Sequence, residues 1–442
     1  MTKDLTIGNP IKIILLFSIP LMIGNIFQQV YSLADAIILG NVIGVNALAA
    51  VGSTGSITFL IFGYIMGSCS GLGMITAQKF GAGDEKGVRR SVATSYIAAV
   101  IIAIALTLIS APFTRGILSL MQTPAEIIDD AYIYLFILLL GNIIVMMFNL
   151  LASIMRALGD SKTPLYFLII AVVFNIALVF LFILVFNWGV AGAAAATIIG
   201  QLASVVMCIL YIRRKFPILK LTKEDWKVSR KDLQEHFRMA IPMGFSISVI
   251  AVGTIIVQYV LNGFGPVAIA GFTTAIRIEQ MGTMPFFSLS LAVGTYVAQN
   301  YGAGKIDRIK KGVSSSIFWG VIFSAIIGIT FFFAGFTMAG WFVGGEAHDV
   351  QTYAQTFLRI HGVMYFTLIL LMIYRFALQG LGKAFAPFVG SIGELVMRAF
   401  AALVLARFVG FWGVILSSPL AWIGAAIPLG VLYYIAIRKL ND

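Results

Sequence analysis

Twelve apolar runs of bilayer-spanning length follow one another along this chain, and that leaves little besides a bundle of helices in a membrane. They lie at roughly 12–38, 46–76, 91–113, 131–156, 164–186, 190–212, 239–261, 267–297, 313–335, 353–378, 387–407 and 413–436. At about 1.5 Å per residue, such runs cross the roughly 30 Å hydrocarbon core of a bilayer as helices. Backbone in lipid must satisfy its own hydrogen bonds, which a helix does. Only 11% of the 442 residues are charged, against about 25% in soluble domains. The fold class is an all-α polytopic membrane protein with twelve transmembrane helices. The first run is expected to be a retained span, because Pro20 and Asp35 interrupt it and no small-residue cleavage site is present.

The net charge of +12 would suit nucleic acid, but its distribution argues otherwise. Lys79, Lys86, Arg89 and Arg90 follow the second span, and Arg156 and Lys162 the fourth. A run from Arg213 to Arg238 follows the sixth, and Lys305, Arg308, Lys310 and Lys311 follow the eighth. The opposite loops hold only Arg115 and Arg407. The positive-inside rule then puts both termini in the cytoplasm. Cys69 and Cys208 fall in apolar runs and read as small buried hydrophobes. His236, His348 and His361 are scattered without ligand spacing, so no metal site is expected. No nucleophile–base group or acidic metal cluster appears, which argues against an intramembrane transferase or any other enzyme.

The sequence repeats itself. Ile19-Pro20 recurs as Ile241-Pro242, Gln78-Lys-Phe-Gly-Ala-Gly83 as Gln299-Asn-Tyr-Gly-Ala-Gly304, and Trp188-Gly-Val190 as Trp412-Gly-Val414. Six spans separate the copies, an even number, so both enter the membrane in the same sense. Two parallel-repeat six-helix lobes follow, 1–212 and 239–442, joined by a basic cytoplasmic linker, 213–238. That is a transporter architecture. The linker is expected to be solvated and to lie on anionic lipid rather than to dock.

Within this frame the intramembrane charges carry the functional argument. Asp35 is unmatched by the repeat, whose counterpart falls at Ile256 or Val257, so it is the first choice for a proton or cation site. Pro20, upstream in the same run, is a hinge. Tyr31, Tyr134, Asn175 and Thr197 sit at depths that let them converge with Asp35. In the second half, Arg277 with Glu279 and Glu394 with Arg398 are expected to neutralise one another as pairs, unless Glu279 or Glu394 exchanges partners when a cation binds.

The N-terminal Ile19-Pro20…Tyr31-Ser-Leu-Ala-Asp35…Leu39-Gly40, the Gln78–Gly83 loop and the doubled architecture resemble the multidrug and toxic compound extrusion (MATE) family over essentially the whole chain. The closing Phe411-Trp-Gly-Val…Ser418-Pro-Leu-Ala-Trp422 is similar to its bacterial DinF-like branch. The resemblance implies cation-driven antiport of lipophilic cations out of a bacterial cell by two alternating lobes. No cofactor beyond the coupling ion is expected, and the chain is expected to act as a monomer among membrane lipids. The resemblance places Asp35 in the ion-coupling network and Tyr31, Tyr134, Asn175 and Thr197 at network positions. Members of that branch often carry an aspartate one turn after the span-five asparagine; here Asn175-Ile-Ala-Leu is followed by Val179. Sodium wants several oxygen ligands and a proton needs one carboxylate, so protons are favoured over sodium. The rival is a flippase for lipid-linked oligosaccharide, which would want a strongly cationic cavity. Intramembrane charges that nearly balance argue against it.

Overall fold

The computed structural model describes residues 4–344 and 347–440. Among them, eleven helices are long and apolar enough to span a membrane, or twelve when the bent pair Ile128–Leu140 and Asn142–Ala157 is counted as one span. The helices are α1 (Pro10–Val42), α2 (Val45–Gly81), α3 (Glu85–Ser110), α4 (Ile128–Leu140), α5 (Asn142–Ala157), α6 (Lys162–Phe180), α7 (Gly189–Lys215), α8 (Arg230–Leu261), α9 (Pro266–Gly302), α10 (Ile306–Val343), α11 (His348–Gly380), α12 (Phe385–Phe400) and α13 (Phe411–Arg438). Each falls on a run expected from hydropathy except the fourth, where α4 and α5 meet at a 48° bend around Gly141. A continuous apolar run carries no mark of such a bend. Short π-helical turns extend α6 at Leu181–Val185 and α12 at Ala401–Leu405, at corresponding places in the two repeats.

The repeated Gly-Ala-Gly stretches are helix stops rather than phosphate loops. Gly83 and Gly304 take φ of 70° and 68°. In each, the next residue's N–H reaches back across the last turn, Asp84 to Lys79 O (3.1 Å) and Lys305 to Asn300 O (2.9 Å). A side chain at either glycine would be strained, because this left-handed conformation crowds Cβ.

The contacts divide the chain into two units, and the divisions fall inside helices. One unit takes Ile23–Gly244, the other Leu5–Met22 and Phe245 onward. The chain passes between units within α1 and within α8, each time just beyond a helix proline, Pro20 or Pro242. Proline deprives its helix of one N–H, and the helix is softest there. Lobe boundaries drawn at loops do not convey this exchange of helix starts.

The segment preceding each proline helix is held by its unit. In the second unit Leu5 is fully buried. Its N–H donates to Gln299 Oε1 (2.9 Å), and its carbonyl accepts from Asn300 Nδ2 (3.3 Å). Lys305 Nζ reaches Thr6 O (3.0 Å), and Arg308 reaches Gly8 O (2.8 Å). Gln299 and Asn300 of the repeated motif, with Lys305 and Arg308 just beyond it, thus clasp residues 5–8. In the first unit the linker docks, contrary to the solvated reading. Arg90 pairs with Asp232 (2.7 Å) and Arg89 with Asp225 (3.7 Å), Trp226 stacks on Tyr96, and buried His236 bonds Ser91 (3.2 Å). The many lysines and arginines of 213–238 obscured two acids that face the basic α2–α3 turn.

Within the second unit α10 and α11 touch through Gly328 and Gly362. A Cβ on Gly328 would lie 3.0 Å from the Gly362 carbonyl carbon, with rigid backbone on the far side. Close approach through small residues is how helices associate in lipid. Gly328→Val is expected to destabilise by at least about 1–3 kcal/mol. Gly52→Ala, with nothing within 4 Å of the added carbon, should be silent. Thermal unfolding of the two purified variants checks this, and equal melting temperatures would contradict it.

Candidate functional site

The N-terminal unit gathers four of the five polar groups expected there. Tyr31 and Asp35 lie one turn apart on α1, so they share a face. Tyr31 Oη lies 3.3 Å from Thr197 Oγ1 of α7. The threonine donates its own hydrogen to Ala193 O (3.1 Å), so the tyrosine is the donor between them. Tyr134 of α4 is buried, and both phenols lie within reach of Asp35's charge. Asn175 of α6 is also buried and packs its Cβ against Gly200, one turn beyond Thr197 on α7. No hydrogen bond joins it to the other four.

Several of these groups are left wanting a partner. Asp35 Oδ1 and both amide atoms of Asn175 are buried and make no hydrogen bond among the described residues. An unmet buried polar atom costs about 1–3 kcal/mol, and of the nine described side chains in this unit that carry one, Asp35 is the only carboxylate. One turn past Asp35 the surroundings become apolar. Leu39, Val179 and Phe182 are buried in one cluster with Tyr134. Val179, one turn after Asn175 on α6, is completely buried there.

The second unit pairs its charges differently from the sequence expectation. Arg277 and Glu279 do not bond one another. Two residues on a helix point to nearly opposite sides, and Arg277 is exposed while Glu279 turns inward. Glu279 Oε1 instead meets His361 Nδ1 at 2.7 Å and accepts from Tyr365 Oη at 3.3 Å, both on α11. Glu394 and Arg398 share a face of α12, but the carboxylate is taken by Arg375 of α11. Arg398 Nε is left buried without a hydrogen-bond acceptor among the described residues, within reach of Glu279's charge. Arg375 and Arg398 also feel one another. Glu279, His361 and Tyr365 thus form one hydrogen-bonded group and Arg375 with Glu394 an ion pair, with Arg398 one turn from Glu394 on α12.

His361 and Tyr365 were missed by the sequence reading, which tested histidines for metal-ligand spacing and nucleophile–base grouping alone. The signal was available. A titratable side chain within the run 353–378 qualifies under the same rule that singled out Asp35.

The family model MatE matches residues 20–181 and 242–404, one match to each repeat. Among curated proteins, the chain is 33% identical over 317 residues to a probable multidrug resistance protein, YpnP, of Bacillus subtilis (strain 168), covering 69% of this chain and 68% of that one. It is 24% identical over 442 residues to the multidrug export protein MepA of Staphylococcus aureus (strain MRSA252), covering 97% and 95%. Among solved structures, an outward-facing multidrug resistance MATE family transporter of the MOP superfamily superposes with a TM-score of 0.92 at 24% identity, covering 99% of this chain and 98% of that one. A MATE protein crystallised in a bent conformation gives the same TM-score at 24% identity, covering 99% and 97%.

Proposed function

This chain belongs to the MatE family, the multidrug and toxic compound extrusion transporters, and from that premise we propose that it exports lipophilic, cationic compounds across the cell membrane in exchange for protons. It is a multi-pass membrane protein, and in the proposal both termini lie in the cytoplasm, as the basic loops dictate. The observation that carries the reading is Asp35, a carboxylate in a membrane helix with one buried, unpartnered oxygen beside Tyr31 and Tyr134.

Ionised, Asp35 attracts a cation into the N-terminal unit, and the tyrosines offer aromatic faces to it. Protonated, it loses that attraction, and α1 is free to change its bend at Pro20. Substrate and proton thus compete for one carboxylate, the minimum an antiporter requires. Support for protons over sodium comes from Val179, whose apolar packing offers no second carboxylate oxygen nearby. The flippase alternative gains no support, since the relatives are named for multidrug resistance and export.

The test is efflux of a fluorescent cationic dye from proteoliposomes under separate proton and sodium gradients. External acid should accelerate dye efflux and external sodium should not. Efflux driven by sodium alone would overturn the choice of ion, and an immobile dye under both gradients would overturn the substrate class.

A further inference from the structure

The hydrogen bonds around His361 require a proton that the sequence does not reveal. His361 is completely buried. Its Nε2 lies 3.0 Å from the backbone carbonyl of Ile415 in α13. That carbonyl would ordinarily accept from the N–H four residues on, but residue 419 is proline, inside the helix and without an N–H. A carbonyl only accepts, so Nε2 carries a hydrogen and supplies what Pro419 cannot. The other ring nitrogen, Nδ1, lies 2.7 Å from Glu279 Oε1. If Nε2 holds the hydrogen of a neutral imidazole, Nδ1 presents a lone pair, and a carboxylate presents another. The contact closes only with a further proton, either on Nδ1 of an imidazolium or on Oε1 of a carboxylic acid.

We propose that Glu279 and His361 share a second coupling proton in the C-terminal unit, taken up and released in each transport cycle; this rests on the proton antiport proposed above. The pair carries one proton more than a neutral imidazole beside a carboxylate, and that proton leaves as H⁺ with no other bond made or broken. The groups facing it on neighbouring helices provide for both states. In the loaded state Tyr365 Oη donates to Glu279 Oε1 (3.3 Å), while Phe357 and Trp422 enclose the ring. In the released state Glu279 keeps its negative charge and faces the Nδ1 lone pair, an arrangement that drives it away from His361. Arg398, whose Nε has no acceptor among the described residues, is the cation that receives it. Arg398 is available because Arg375 already occupies Glu394.

A second proton changes the energetics of export. Exchange of one proton for one monovalent cation moves no net charge, so membrane potential cannot drive it. Two protons per cation move one charge inward per cycle. At about 100 mV that is worth about fiftyfold in steady-state accumulation.

Two measurements test the proposal. In proteoliposomes, the wild type should move a cationic dye under an imposed potential alone. Glu279→Gln, compared at equal amounts of folded protein, should lose that component, about fiftyfold at about 100 mV. Unchanged potential-driven transport in Glu279→Gln would overturn the inference. The second measurement needs no variant that transports. The wild-type chain has three histidines, and nitrogen NMR of ring-labelled protein, assigned with His361→Gln, reports each tautomer. His361 should keep Nε2–H throughout a titration from acid to alkaline buffer, while its Nδ1 signal shifts as the shared proton leaves. A constant Nδ1 signal over that range would overturn the inference even if no variant transports. A titrating His361 in a protein that no proton gradient drives would leave the site standing and overturn the antiport it was assigned to serve.

Discussion

Asp35→Asn is expected to abolish proton-driven export while leaving a folded protein. Asparagine has nearly the shape of a protonated aspartate and cannot ionise. In the proposed cycle it fixes the N-terminal unit in its proton-loaded state, where a cation has no counter-charge and α1 receives no signal. Efflux under a pH gradient should fall by about a hundredfold or more, the loss of roughly 2.7 kcal/mol of coupling. Stability should not fall. The wild-type carboxylate has a buried oxygen with no hydrogen-bond partner among the described residues, and removing a poorly solvated charge relieves the folded state. The expected result is therefore a melting temperature equal to or above the wild type together with lost transport. Tyr31→Phe should cost far less, because it removes one hydrogen bond, to Thr197, worth about 1 kcal/mol. Full proton-driven efflux in a folded Asp35→Asn protein would refute the assignment and leave Glu279 with His361 as the only coupling site proposed here.

Helices run up to nine residues beyond the expected ends, as Arg230–Leu261 does beyond 239–261. Hydropathy and the internal repeat nevertheless placed a span on each long apolar helix, because a bilayer demands apolar length of any chain. The helix stops at Gly83 and Gly304 were legible for the same reason, since their sequence signature is local. What stayed hidden depended on which side chain meets which across helices. Glu394 lies one turn from Arg398 in sequence, yet Arg375 holds it. Glu279 seemed to have Arg277 for company, yet the helix turns that arginine outward. The linker's Asp225 and Asp232 were lost in a count of basic residues, although two opposing charges suffice to dock a segment when they meet Arg89 and Arg90. The break at Gly141 and the passage between units inside α1 and α8 reflect packing, which apolar runs do not encode. Pro20 was visible as a hinge and Pro242 as its repeat, though neither as a place where the chain changes unit.

The buried Arg375–Glu394 pair sets up the other large effect, and the position of Arg398 fixes its order. Removing one partner of a buried ion pair commonly costs about 3–5 kcal/mol, because the remaining charge is uncompensated. Glu394→Gln leaves Arg375 and Arg398 as neighbouring buried cations without that carboxylate, so it should be the most destabilising single change. Arg375→Met leaves Glu394 free to turn to Arg398, one turn along the same helix, and should cost less. The double variant Arg375→Met, Glu394→Leu removes both charges of the pair and restores apolar volume. It should recover most of the loss, as replacement of buried pairs by well-packed apolar residues often does. Thermal unfolding of the three purified proteins measures the order directly. A double variant as unstable as the sum of the single ones would mean that Arg375 and Glu394 act independently. Equal losses in the two singles would remove Arg398 as the alternative partner. The same series bears on coupling. Once Glu394 has claimed Arg398, Glu279 has no cation to receive it, so Arg375→Met should also weaken potential-driven transport although it touches neither Glu279 nor His361.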